Sequence, residues 1–233
     1  MMKESISLNS PNARFRERKA LDARVSQKDV AGVYDALSPM YNLWGRLTES
    51  RARDRAIDLA DIKDGQDVLE VAVGTGMAFH EIVKKNPTGR NVGIDLSEGM
   101  LTKARKRLQK LRVANYELKT GSALRLEEQD ASFDLLMNNY MFDLMAFEEM
   151  DTVLQEFKRV LRTGGKLVLV NMTVGEKFGT DIYTWIYRIS PKLMGGCRGV
   201  QLSEKLKVHG FNVKLREYYQ QLLFPSEVIL AIK

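Results

Sequence analysis

The sequence predicts an α/β protein. Helices should cover both faces of a mostly parallel, seven-stranded sheet, a three-layer sandwich that ends in a C-terminal antiparallel hairpin. Three observations predict this. From Asp29 onward, short and almost continuously apolar runs alternate with stretches of helical periodicity. A tight Gly74-Thr75-Gly76 turn joins the first such run to the helix after it. The last two strand-like runs have little between them, which suits a hairpin rather than a crossover.

The strands are expected at Asp67–Val73, Asn91–Asp95, Asn115–Lys119, Phe133–Tyr140 and Lys166–Met172. Strands covered on both faces need this near-continuous apolar character. Between them, Leu101, Ala104, Leu108 and Leu111 recur at helical spacing, as do Met150, Val153, Leu154, Phe157 and Leu161. Gly164-Gly165 is expected to stop the second of these helices. A helix over Ser203–Val208 closes at Gly210, and the runs Asn212–Tyr219 and Glu227–Ile232 form the hairpin. Residues 1–28 have few large apolar side chains and read as a basic extension; residues 29–233 form the folded domain.

Composition excludes several classes. With 233 residues, 44% of them hydrophobic and 28% charged, the chain can bury a core without covalent staples. Its single cysteine, Cys197, cannot form an internal disulfide, so a secreted disulfide scaffold is excluded. No apolar run is long enough to span a bilayer, and the start MMKESISLNS has no signal-peptide core; a cytoplasmic location is expected. The formal charge of +6 is unevenly placed. Residues 1–28 carry +4, residues 29–173 carry −2 and residues 174–233 carry +4. Basic ends around a slightly acidic middle fit an anionic membrane surface or an acidic acceptor. Nucleic acid is disfavoured: the run Lys103–Arg112 keeps its leucines on a buried stripe, so its charges are the solvated face of a helix. No spacing of His, Cys or carboxylates suggests a metal.

The run from Asp67 to Phe79 is the most informative stretch. A buried strand, a glycine turn and a helix start let a ligand approach the backbone closely and meet unpaired N–H groups. A dinucleotide fingerprint needs a small residue where this chain has Phe79, and Glu70 would be awkward beside a pyrophosphate. Glu70 suits a cationic ligand. Asp95, nineteen residues after Gly76, stands at the end of the second strand, where a carboxylate can accept both hydroxyls of a ribose. Asp95 could instead cap the helix that follows.

Several motifs in this order are similar to those of the class I S-adenosylmethionine-dependent methyltransferases, which have a Rossmann-like fold. They are Val68–Gly76, Val92–Met100, Gly121-Ser122-Ala123, Ser132-Phe133-Asp134 and Glu156–Lys166, with Val33–Asn42 upstream. More narrowly, the chain resembles the branch of the ubiquinone and menaquinone C-methyltransferases, over about residues 30–172. The resemblance implies S-adenosyl-L-methionine as cofactor. It places Glu70 near the amino end of the methionine moiety, and Ala72, Gly74, Thr75 and Gly76 along that moiety and the sulfonium. Asp95 would hold the ribose; Leu96 and Met100 would sit at the adenosine, with Met100 on adenine; Ser122 and Ala123 would meet the adenine edge. Tyr34 and Tyr41 would cover the cofactor, and Asn138 would contact it. Ser122 departs from the acid usual before Ala123 and makes a weaker adenine contact.

Methyl transfer is an in-line displacement that alignment and exclusion of water can accelerate without a His or Cys. His80 and His209 read as ordinary helix residues. The candidates for catalysis follow the fourth strand: Asn139, Tyr140 and Asp143, at the strand ends where open α/β sheets bind ligands. Acceptor-covering segments are expected at about 29–60 and 174–202. The second carries Phe178, Trp185 and Ile189 at helical spacing, with Tyr183, Tyr187 and Arg198 as candidate acceptor contacts. The expected acceptor is a small lipophilic molecule such as a quinone precursor, borne by a membrane. A phospholipid N-methyltransferase and a cofactor-binding RNA- or protein-interaction module are the alternatives. Oligomeric state is not legible.

Overall fold

The computed structural model describes residues 50–111, 115–173, 198–221 and 224–233. The extension 1–28, the proposed cofactor-covering Tyr34 and Tyr41, and the aromatic run with Tyr183 and Tyr187 lie outside the described residues.

The elements, in chain order, are α1 (Ser50–Ala60), β1 (Asp67–Val71), α2 (Met77–Lys85), β2 (Arg90–Asp95), α3 (Glu98–Leu108), β3 (Tyr116–Thr120), β4 (Phe133–Asn139), α4 (Phe147–Val160), β5 (Leu161–Met172), α5 (Ser203–Val208), β6 (Asn212–Gln221) and β7 (Phe224–Ile232). The seven strands form one sheet in the order β3-β2-β1-β4-β5-β7-β6. β1 to β5 pair in parallel, while β7 runs antiparallel to both β5 and β6. The expected Rossmann-like sandwich with a terminal hairpin is therefore present, with β7 inserted between β5 and the edge strand.

Alternation of side chains along the strands builds two apolar layers. Val68, Leu135, Met137, Val168, Val170 and Val228 face α1, α2 and α3. Leu69, Leu136, Leu167, Leu169, Ile229 and Ala231 face α4 and α5. The stripe of α4 (Met150, Val153, Leu154, Phe157 and Val160) is buried, and each such side chain adds about 1.5–3 kcal/mol over an exposed one. Acids in the first turn of α4 and bases in the last complement its dipole. α1 buries Ala52, Ala56, Ile57 and Ala60, and its three small alanines let its backbone lie close to the sheet. Arg55 fixes the rotation of α1 with a two-pronged pair to Glu217 on β6, at 2.8 Å for each bond.

Two sequence expectations change here. α4 ends at Val160, not at the glycine pair, because Leu161 already has extended angles (φ −72°, ψ 141°) and pairs with Phe133. Gly164 and Gly165 lie inside β5, where Gly164 adopts φ +79° and its N–H donates to the Lys233 carbonyl. The pair shapes an irregular start to the strand and does not terminate a helix. The cap of α3 is Ser97, whose Oγ accepts the Met100 N–H at 3.1 Å, so Asp95 is released from that role.

Candidate active site

The chain leaves β1 toward β2 on one side and reaches β4 on the other, so the sheet order reverses between β1 and β4. Open α/β sheets bind ligands beyond the strand ends at such a point. Here a cleft opens there, lined from β1 and its turn by Glu70, Ala72, Gly74 and Thr75, from β2 by Asp95 and Leu96, and from α3 by Met100. Ser122 and Ala123 form its far edge, and Asn139 and Tyr140 its β4 side.

The glycine turn owes its shape to positive φ angles at Ala72 (61°), Gly74 (57°) and Gly76 (76°). The glycines serve different ends. A Cβ on Gly74 would meet nothing within 4 Å and would project into the cleft. A Cβ on Gly76 would lie 2.9 Å from the Ala104 Cβ and 3.0 Å from its Cα, so this glycine lets α3 close on the turn. Gly76 is not among the cleft-lining residues, and its close contact is with α3. Arg107 ties α3 to the turn by donating to the Thr75 carbonyl at 2.9 Å. Gly76→Ala is expected to cost about 2–3 kcal/mol, from left-handed backbone strain and overpacking against α3. Gly74→Ala carries only the backbone strain, about 1–2 kcal/mol, and its larger effect is on cofactor affinity. Urea unfolding and calorimetry on both variants check this; equal stability losses would refute the division of roles.

Asp95 is held by the backbone around it. Its Oδ2 accepts the Gly74 N–H at 2.7 Å and its Oδ1 accepts the Ser97 N–H at 2.9 Å. Burial raises its pKa above the ordinary value, against these hydrogen bonds.

Glu70 is 1% exposed. Its Oε1 accepts from the Asn139 amide at 3.0 Å, while its Oε2 has no hydrogen-bond partner. Burial pushes its carboxyl from 4.5 up to about 8; the Asn139 bond opposes this, nearby Asp95 adds to it and Arg53 opposes it. The Oδ1 of Asn139 is also buried without a partner. Glu70 Oε2 and Asn139 Oδ1 are thus two buried oxygens in one cleft that are open to a ligand group with hydrogens to give.

The other expected residues divide. Tyr140, with φ +52°, faces the cleft and pairs its hydroxyl with Ser226 Oγ at 2.9 Å, a partner from β7 that no local motif announces. Asn138 is fully buried, donates to the Val71 carbonyl at 2.8 Å and is not among the cleft-lining residues; it fastens β4 to β1. Asp143 is fully buried in a short 3₁₀ turn, Phe142–Leu144, and is also absent from the cleft wall. Arg198 is 3% exposed, donates to the Met145 carbonyl and lies 4.0 Å over the Phe147 ring. Asp143 and Arg198 are thus corrected from acceptor-facing groups to buried ones; the Arg198 N–H meets the Asp143 carbonyl at 3.1 Å. Residues that the sequence did not single out also line the cleft, among them Arg53 and Met77, and Met141, Leu144 and Met145 beyond β4. No cluster that could hold a metal occurs among the described residues.

Comparison with known proteins identifies the family and the fold. The family described as a methyltransferase domain matches residues 62–192. Demethylmenaquinone methyltransferase of Thermus thermophilus is 30% identical, over 70% of this chain and 76% of that protein. The enzyme of the same name from Thermotoga maritima is 26% identical, over 83% of this chain and 93% of its own. Among solved structures, the [4+2]-cyclase SpnF superposes with a TM-score of 0.73 at 17% identity, covering 93% of this chain and 99% of that one. An S-adenosylmethionine-dependent methyltransferase from Aquifex aeolicus gives 0.59 at 17% identity, with coverages of 88% and 98%. These structural likenesses speak for the fold alone. With the matched domain spanning more than half its length, the chain belongs to the class I S-adenosylmethionine-dependent methyltransferases, resembles their menaquinone branch, and uses S-adenosylmethionine as its cofactor.

Proposed function

We propose that this enzyme methylates a quinone precursor, a lipophilic aromatic acceptor, at the β4 side of the cleft. The observation that carries the reading is the wall beyond β4. Met141, Leu144 and Met145 offer an apolar, polarizable surface beside the polar tips of Asn139 and Tyr140. Such a surface suits a flat ring with a hydroxyl, since thioethers pack well on aromatic edges. The relatives that bear the name demethylmenaquinone methyltransferase support the same acceptor class.

The cofactor supplies an electrophilic methyl group on a sulfonium. The protein's share is placement. Glu70 Oε2 would take the ammonium of the methionine moiety, the backbone at Ala72, Gly74 and Thr75 would run along that moiety, and Asp95 would hold the ribose. Met100, Leu96, Ser122 and Ala123 would enclose the adenine. Asn139 Oδ1 can accept a hydrogen bond from an acceptor hydroxyl, and Ser226 holds the Tyr140 phenol in place. A ring carbon forms its new bond to the methyl group as the sulfur–methyl bond breaks with its electron pair left on sulfur, and the ring then gives up its hydrogen as a proton to solvent. Alignment of that carbon and exclusion of water during the transfer carry most of the rate.

A lipophilic acceptor would be met at a membrane surface, and the +4 charge of residues 1–28 supports that meeting place. The phospholipid reading relied on Arg198 reaching a phosphate, and the burial of Arg198 withdraws that support. The test is product analysis with methyl-labelled S-adenosylmethionine. The purified enzyme is offered a short-tailed prenylated naphthoquinol and, separately, phosphatidylethanolamine vesicles. Label on a ring carbon of the naphthoquinol is expected. Label confined to phospholipid headgroups would overturn the proposal.

A further inference from the structure

We infer that Arg53 is the carboxylate-binding residue of the cofactor site, and that it makes the cleft selective for a ligand with an intact amino-acid end. Arg53 enters the cleft from α1, outside every motif that marks the site. Its neighbours in sequence are committed elsewhere: Ala52 is packed in the core and Arg55 is paired with Glu217. Arg53 is drawn in, with its side chain only 17% exposed, yet its partners are poor. Nη1 points at the Met77 sulfur at 3.7 Å, a weak acceptor, and Nη2 lies 3.4 Å from the outward-facing carboxylate of Asp54.

The same cleft is lined by Glu70, whose Oε2 has no hydrogen-bond partner. Arg53 is the positive group that acts on that acid. An under-committed guanidinium fork and an unsatisfied buried carboxylate lining one cleft are complementary to a zwitterion. An α-carboxylate would take the fork, which suits two-pronged binding, and an α-ammonium would take the acid. Either charge alone would leave the other protein group uncompensated, which is costly in a buried site. The assignment rests on the proposed placement of the cofactor's methionine end at Glu70.

The test compares binding of S-adenosylmethionine with that of its decarboxylated form, by calorimetry on the full chain. Wild type should bind the intact cofactor more tightly. Arg53→Ala should weaken the intact cofactor about 10- to 100-fold, the usual range for a charge-assisted hydrogen bond, and change the decarboxylated form by less than about threefold. Arg53→Lys, which keeps the charge but not the fork, should fall between, and thermal midpoints show that the variants are folded. Equal losses for both ligands, or unchanged affinity for the intact cofactor, would overturn the role of Arg53. Glu70→Gln run in parallel should weaken both ligands, since both keep the ammonium. Unchanged affinity there would overturn the placement at Glu70 and the inference with it, whereas a normal Glu70 result beside a failed Arg53 result removes Arg53 alone.

Discussion

Glu70→Gln is expected to stabilise the ligand-free protein at pH 8 while weakening the cofactor about 100-fold. Burial raises the folded-state pKa of Glu70 from 4.5 to about 8, so between those values the folded chain holds a proton that the unfolded chain has lost. Stability from this group is complete below about pH 4.5 and drains away as pH climbs toward 8. A rise of that size corresponds to an upper limit on the order of 5 kcal/mol. Glutamine keeps the shape and cannot ionise, so the variant should lose this pH dependence. Urea unfolding at pH 5, 6.5 and 8 should show the two proteins converging at the acid end and separating by several kcal/mol at the alkaline end. Parallel curves would mean that Glu70 is not held near neutrality. On the proposed placement of the ammonium at Glu70, the same substitution removes its negative partner, and losing one member of a buried charge pair costs about 2–5 kcal/mol of binding.

The opposition between fold and ligand at Glu70 gives the wild type a second signature. Cofactor binding should drive Glu70 to ionise and release a proton near neutral pH, so affinity should rise with pH toward 8. The cleft thus holds an acid that the empty fold prefers neutral and the cation prefers charged.

Much of this was legible in the sequence because it is written locally. A buried strand must be apolar along its length, and a helix must repeat its apolar side chains, so all seven strands and α3, α4 and α5 could be placed within a few residues. Asp95 and the glycine turn lie within about twenty residues of each other and announce the ligand end of the sheet. What failed was set by contacts far apart in the chain. Arg198 and Asp143 carry charge, and charge is ordinarily exposed; their burial depends on Phe147, the Met145 carbonyl and a return of the backbone from a distant segment. Arg53 belongs to a helix with no motif, and its place in the cleft follows from how α1 lies on β5 and β7. Ser226 reaches Tyr140 only because β7 inserts beside β5. The glycine pair at 164–165 misled because Leu161 continues the helical spacing of α4 although its backbone already belongs to the sheet.

Asp95 carries the other large expectation, and the structure changes its form. The carboxylate already accepts the Gly74 and Ser97 N–H groups, so Asp95→Ala should not leave the fold untouched. Removing two partly buried acceptors is expected to cost about 1–3 kcal/mol of stability and to loosen the glycine turn. On the proposed ribose role of Asp95, cofactor affinity should fall by a further 100-fold or more, the loss expected for two charge-assisted bonds to ribose hydroxyls. Asp95→Asn separates the effects. The amide keeps one oxygen for a backbone N–H and the side-chain shape, so stability should stay within about 1–2 kcal/mol of wild type while the ribose loses its charged acceptor. Adenosylhomocysteine and its 2′-deoxy analogue resolve the contact itself. Wild type should prefer the natural ribose by about tenfold, and the Asp95→Ala protein should barely distinguish the two. If both proteins lose the same factor on removal of the 2′-hydroxyl, Asp95 holds the turn and does not hold the ribose.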